Sequence, residues 1–354
     1  MGAGVSGLML GRNLSAVQTV DCVDIFEKSR GVGGRMATRR YDTLMFDHGA
    51  PFFTARNKAF QRWLLPLINE RVITAWQPKL ITLSPDKKPF KRQWYEPHYV
   101  GVGGNNRLGK YLAGGQHVIL NSTIRSCNKV GKHWFLTDEN NNQYGPYDWL
   151  ITATPPAQVV ALFEACVNGP QLPSFIHETQ MTSCFSLMLG YEHALPVNWQ
   201  WAKVNNSCIA SITLEYAKSQ TTNNFAVVIK STEAWTEKYK HADLMWVKSH
   251  LLHEFNTLLA GAGLVRGASP SLPKLLYSDC HRWLYSQKCE SRDTDETAES
   301  NDVDISPLGF YSDDVHSMSC CGDWLLRGGI ESAFLSANAL SQHLQKIDRL
   351  SSLI

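Results

Sequence analysis

Gly2, Gly4 and Gly7 fall in the pattern GxGxxG, and Glu27 follows about 20 residues after the last of them. Those residue types at that spacing suit one task, holding a dinucleotide. The first glycine allows a tight turn, the second lets the backbone approach a pyrophosphate, and the third lets helix and sheet pack closely. A helix opening at Val5 and Ser6 offers free N–H groups to phosphate oxygens. Glu27, with Lys28 beside it, closes a short apolar strand, Cys22–Phe26, where a carboxylate can accept from an adenosine ribose. Met1-Gly2 with Ser6 also fits an acylation pattern, but the dinucleotide reading uses all three glycines.

A second glycine cluster comes next: Gly31, Gly33, Gly34, then Arg35 and Met36. Gly33 and Gly34 suit a backbone that comes close to ribose and diphosphate, and Arg35 suits a charge-assisted bond to a phosphate oxygen. The run Phe46–Phe53 carries His48, Gly49, Ala50 and Pro51. His48 is the titratable side chain to test there; Gly49 and Ala50 suit backbone contacts. Near the other end, Met318–Cys321 reads as a buried strand leading to Gly322-Asp323 and then to Gly328-Gly329-Ile330-Glu331. From there Ala333, Phe334, Ala337, Leu340, Leu344 and Ile347 repeat at helical spacing. Cys320 and Cys321 read as small buried filler rather than as a covalent cofactor anchor.

These three separated motifs, in this order, resemble the FAD-dependent amine-oxidase superfamily, and GG-R-M-x-T with the Asp47–Phe53 loop is most similar to its renalase-like branch. The likeness runs over nearly the whole chain. His281-Arg282-Trp283-Leu284-Tyr285 resembles a strand of that branch, with Trp283 or Tyr285 expected to wall the pocket before the flavin. Ile124 falls where relatives touch the adenine with their backbone. The resemblance implies a non-covalently held FAD, bound through Gly322, Asp323, Gly329, Ile330 and Glu331 as well as the N-terminal motifs. It implies hydride transfer from a small molecule to flavin N5 and reoxidation by O2. In the renalase-like branch the substrates are dihydronicotinamide isomers of NAD(P)H, which need no general base. Two other readings stay open. One is an amine oxidase, which usually has a lysine near N5 that the sequence does not place. The other is a flavin-binding or flavin-less protein without turnover.

The elements that must position these residues read as α/β. The expectation is a doubly wound nucleotide-binding domain of the glutathione-reductase type, made of 1–55, 99–156 and 305–354. A mixed antiparallel-sheet substrate domain takes 56–98 and 157–304. Helices are expected over 57–70, 106–113 and 242–260, and after Thr154-Pro155-Pro156, with Thr154 as cap. Strands are expected at 117–120, 123–127, 132–137, 147–153, 183–190, 207–214 and 225–230. Residues 290–304 hold seven acids and one arginine, and read as a solvated insertion. The fingerprint normally follows a strand, and only Met1 precedes it here. The pattern therefore predicts a natural start several residues upstream, or a truncated form.

Composition narrows the classes. The chain has 354 residues, 44% hydrophobic and 19% charged, enough for a full core. Thirty-four basic against 32 acidic residues leave +2, no electrostatic case for nucleic acid. No apolar run is long enough for a membrane helix. Nine cysteines without a CxxC pair, and histidines without HExxH, point to neither a disulfide scaffold nor a metal site. A cytoplasmic location is the matching expectation; the oligomeric state is not readable.

Overall fold

The computed structural model describes residues 1–85, 87–93, 96–166, 169–218, 224–261, 272–289 and 308–351. The acidic segment 290–304 lies outside the described residues. The chain divides into two compact units. One is Met1–Gly34, Leu108–Met181 and Gln287–Ile354; the other is Arg35–Arg107 and Thr182–Ser286. Residues 35–55 and 99–107 thus group with the second unit.

In the first unit the strand Asp24–Phe26 runs parallel to His117–Ile119. Leu150–Thr152 runs parallel to Met318–Cys321, whose other edge pairs antiparallel with Phe310–Asp313. Met1 and Gly2 lie between these two sets. Met1 N donates to Ile151 O at 2.7 Å and Met1 O accepts from Ala153 N at 2.8 Å, a parallel pattern. On the other side Gly2 N donates to Phe26 O at 2.8 Å. Met1 and Gly2 thus join the two sets of strands through main-chain hydrogen bonds. Parallel strands are covered on both faces, which is why they read as short apolar runs without alternation. The Val5–Ser15 helix packs against the Gly329–Ser351 helix, with Asn13 Nδ2 donating to Asn338 Oδ1 at 2.9 Å. A separate antiparallel sheet, Ile124–Val130, His133–Asp138 and Gln143–Tyr147, turns at Asn141, a left-handed residue with φ 65°.

Thr154 is not a helix cap. The helix is Pro156–Glu164, its cap is Pro155, and no side chain bonds the cap. A proline at the first helical position holds its predecessor extended, so the boundary moves one residue on. Thr154 instead offers its carbonyl to Trp324 Nε1 at 3.0 Å.

The second unit is built on a seven-stranded sheet. Its order is Leu275–Lys288, Met181–Tyr191, Ala226–Ser231, Ile209–Leu214, Trp201–Val204, Leu80–Ser84, Lys87–Arg92. Alternation sorts its side chains. Phe185, Leu187 and Leu189, with Val227 and Ile229, pack against Val247, Leu251 and Phe255 of the Leu244–Gly261 helix. Met188, Ala226 and Val228 face the other way, onto Leu44 and Phe46 of the hairpin Arg39–Tyr41/Leu44–Phe46. Trp235-Thr236 lies on the helix Glu233–Tyr239 that follows the strand Ala226–Ser231.

Candidate functional site

In the first unit the chain's two ends meet at the carboxyl ends of adjoining strands. Phe26 leads to Glu27, Gly2 to Ala3, Thr152 to Ala153, and Cys321 to Gly322. In open α/β sheets this is where ligands bind. Glu27 is 7% exposed, and its carboxylate accepts from Ala3 N and from Ser29 N, each at 2.8 Å. Gly33 N donates to Ala3 O at 2.8 Å, so the second glycine cluster is laced to the first. Lys28 is exposed. Ile124 opens its strand two residues after Ser122, whose N–H bonds Glu27 O at 3.0 Å.

The glycines divide by what surrounds them. A methyl on Gly7 would stand 1.9 Å from Gly2 O, so the third glycine is required by the turn itself. Gly2 has φ +92°, the left-handed region that favours glycine. A methyl on Gly4 would meet nothing within 4 Å, and one on Gly34 would lie 3.3 Å from Gly4 Cα. Two glycine backbones thus approach each other beside open space, above the Val5–Ser15 N-terminus. Gly328 and Gly329 also face open space. Val5 and Ser6 are buried in the first turn.

Asp323 is 4% exposed and holds the turn into the last helix: its carboxylate accepts from Gly329 N at 3.1 Å and its carbonyl from Gly328 N at 3.0 Å. Gly322 N donates to Ser336 Oγ at 2.8 Å. Ile330 and Glu331 stand in the first helical turn. Cys320 and Cys321 are fully buried, and burial pushes both thiols up to about 12. A glycine-lined opening, two helix N-termini and a buried carboxylate at adjacent strand ends fit a dinucleotide.

In the second unit Arg35 and Met36 lie in the Gly34–Met36 turn; Met36 is buried, and Arg35 donates to Ser286 O at 3.2 Å. A methyl on Gly49 would stand 1.9 Å from Arg35 O, and Ala50 N donates to that same oxygen at 2.7 Å. Ala50 O accepts from Asn105 Nδ2 at 2.7 Å, and Pro51 follows half-buried.

His48 is the focus of this unit. Its carbonyl accepts from Lys230 Nζ at 2.5 Å, Ser186 Oγ at 2.7 Å and Trp283 Nε1 at 2.9 Å. Ser186 and Lys230 are register partners on neighbouring strands, and alternation turns both toward the face that carries Leu44 and Phe46. The His48 ring lies 5.4 Å from Trp283 and 5.1 Å from His281. Burial first, then His281, Arg39 and Lys230, hold the His48 imidazole down to about 3. Burial, with Arg39 and Lys230, holds His281 down to about 4. Both rings are neutral at pH 7. Burial also lowers Lys230.

The nearby acids are matched to other cations. Asp279 pairs with Arg39. Asp47 and Glu215 share Lys218, at 3.1 and 2.8 Å. Burial raises Glu215 to about 7; burial alone would pull Lys218 down, but Asp47 and Glu215 together raise it. Sequence reasoning missed Lys230, Ser186, His281, Lys218 and Glu215. A legible signal existed for Lys230, a lone cation ending the apolar run Ala226–Ile229. Tyr285 lies on the same strand as Trp283, half-buried.

Residues 1–65 match a family model described as an NAD(P)-binding Rossmann-like domain. The chain is 21% identical over 308 residues to renalase of Mus musculus, spanning 82% of this chain and 85% of that one. A solved protein from Exiguobacterium sp. 255-15, assigned as a protoporphyrinogen oxidase, superposes with a TM-score of 0.70 at 11% identity, covering 97% of each chain. Wild-type putrescine oxidase bound to putrescine gives 0.62 at 11% identity, covering 98% of each. The α/β fold is thus one that this chain shares with solved oxidases, and the likeness to a renalase extends over most of the chain. No helix among the described residues is long and apolar enough to cross a membrane.

Proposed function

We propose that this chain, with the fold of the amine-oxidase flavoproteins and a sequence similar to a renalase, is an FAD-dependent oxidoreductase whose small-molecule substrate is a dihydronicotinamide isomer of NAD(P)H, with O2 as acceptor. The observation that carries the cofactor is the meeting of Glu27, the Gly4/Gly34 opening and the Asp323–Gly329 turn at adjoining strand ends of the first unit. Glu27 would hold the adenosine ribose, the Val5–Ser15 N-terminus the diphosphate, and Asp323 with the Gly329 turn the flavin end. Non-covalent attachment agrees with Cys320 and Cys321 lying fully buried with raised thiol pKa values. Bound there, FAD would supply a two-electron acceptor.

Substrate choice is argued from the second unit. The nearby carboxylates, Asp279, Asp47 and Glu215, are paired with Arg39 or Lys218. Lys230 donates to neutral acceptors, His48 O and Ser186 Oγ, beside neutral imidazoles, and burial lowers its pKa. An alkylammonium approaching this cluster would find each of these carboxylates already paired with another cation, and so nothing there to offset the loss of its hydration. A dihydronicotinamide ring is uncharged and needs no base, which agrees with imidazoles held neutral at His48 and His281. An amine substrate is the competing reading, since the fold is shared with putrescine oxidase.

The purified protein should be yellow, release its flavin on acid precipitation, and bleach anaerobically with dihydronicotinamide isomers at least tenfold faster than with primary or secondary amines. Faster bleaching by amines overturns the substrate. A colourless protein that does not take up FAD overturns the cofactor.

A further inference from the structure

Cys127 sits on the strand Ile124–Val130, and the helix Pro156–Glu164 packs on that strand. Cys166 follows the helix cap Ala165, its N–H donating to Phe163 O at 3.0 Å. Cys127 Sγ points at the last turn of the helix, 4.0 Å from Leu162 O. Leu162 lies four residues before Cys166, so the carbonyl beside Cys127 Sγ belongs to the turn that carries Cys166, and the two thiols stand close enough to shift each other's titration. Both side chains belong to one apolar cluster with Leu136, Val159, Leu162 and Phe163. Cys127 is buried, whereas Cys166 is partly open to solvent.

We propose that Cys127 and Cys166 are a dithiol that peroxide converts to a disulfide, tying the end of this helix to the strand beneath it. Nearness of the two side chains in one cluster at the end of the helix is the geometric requirement, and the difference in exposure sets the order of events. The Cys166 thiolate attacks one peroxide oxygen, the O–O bond breaks, and the leaving hydroxide takes up a proton as water. The Cys127 sulfur then displaces hydroxide from the Cys166 sulfenic acid, forming the S–S bond and a second water. Two electrons pass from the two sulfurs to the peroxide, and both thiol protons end in water. Burial raises both thiols above the ordinary range, so the first attack should quicken as pH rises.

The test treats the full chain with hydrogen peroxide at pH 7 and pH 9, alkylates the remaining thiols, digests and sequences the peptides by mass spectrometry. The expected product joins Cys127 to Cys166 with loss of two hydrogens, forms faster at pH 9 and separates on reduction with dithiothreitol. In a Cys166→Ser variant Cys127 should stay alkylatable. If wild-type Cys127 stays alkylatable after peroxide, if Cys166 runs on to sulfinic acid alone, or if either pairs with another cysteine, the proposal fails. The wild-type result stands whether or not the variant folds, and it does not depend on flavin.

Discussion

Gly4 and Gly7 stand in one motif under opposite constraints. A methyl at Gly7 has only the Gly2 carbonyl to enter, whereas a methyl at Gly4 enters open space. Gly7→Ala should therefore lower the melting temperature, at a cost of about 1–3 kcal/mol for the overlap. Gly4→Ala should leave the melting temperature of the flavin-free protein nearly unchanged and weaken FAD binding about tenfold or more, about 1.4 kcal/mol. Thermal melts of the apoprotein with flavin fluorescence titrations separate the two. Equal thermal losses in both variants would mean that the opening at Gly4 is not a ligand space. Lys230 shows how burial changes a residue's meaning: on a surface it is a solubilising charge, but here its ammonium converges with Ser186 and Trp283 on one carbonyl.

At the scale of elements, short strands depend on what clamps their ends. Asp24–Phe26 and His117–Ile119 pair over three residues each. Asp24 accepts from Tyr147 Oη at 2.6 Å and lies 2.6 Å from His117 Nδ1, so one carboxylate ties these strands to Gln143–Tyr147 of the neighbouring sheet. Although burial opposes it, the bonds from Tyr147 and His117 hold Asp24 below its ordinary pKa. Tyr147→Phe should cost about 1 kcal/mol, read as a lower urea midpoint at unchanged slope. An unchanged midpoint would show that the clamp adds nothing to pairing. In the second unit, alternation in Met181–Tyr191 and Ala226–Ser231 feeds one face to the Leu244–Gly261 helix and the other to the Leu44–Phe46 hairpin. The same alternation brings Ser186 and Lys230 to His48.

For the molecule as a whole, the buried titratable groups set the pH range of stability. His48 and His281 titrate in the fold at about 3 and about 4, below the ordinary 6.5, so the unfolded chain binds more protons there. Their contribution is complete above about pH 6.5 and is lost as pH falls toward 3. Glu215, at about 7 against 4.5, has the opposite sign: its contribution is complete below about pH 4.5 and lost as pH rises through 7. Between these limits two histidines outweigh one glutamate, so the melting temperature should climb from pH 4 to about 6.5 and then level or fall by pH 8. A melting temperature that is flat from pH 4 to 6.5 would show that the two imidazoles are not held neutral.

The glycine-lined strand ends of the first unit were legible in the amino-acid order because they are local chemistry. A glycine turn, a helix start and a strand-ending acid each sit within a few residues, and their spacing is fixed by the backbone. The helices 57–70, 106–113 and 242–260 were legible through periodicity, and the structure forms Lys58–Asn69, Asn106–Ala113 and Leu244–Gly261. Folding alone decided the rest. Ser186, Lys230 and Trp283 are far apart in the chain, and strand register, which no short window encodes, carries all three to the carbonyl of His48. The pairing of Glu215 and Asp47 with Lys218 likewise exists only once water is excluded around them.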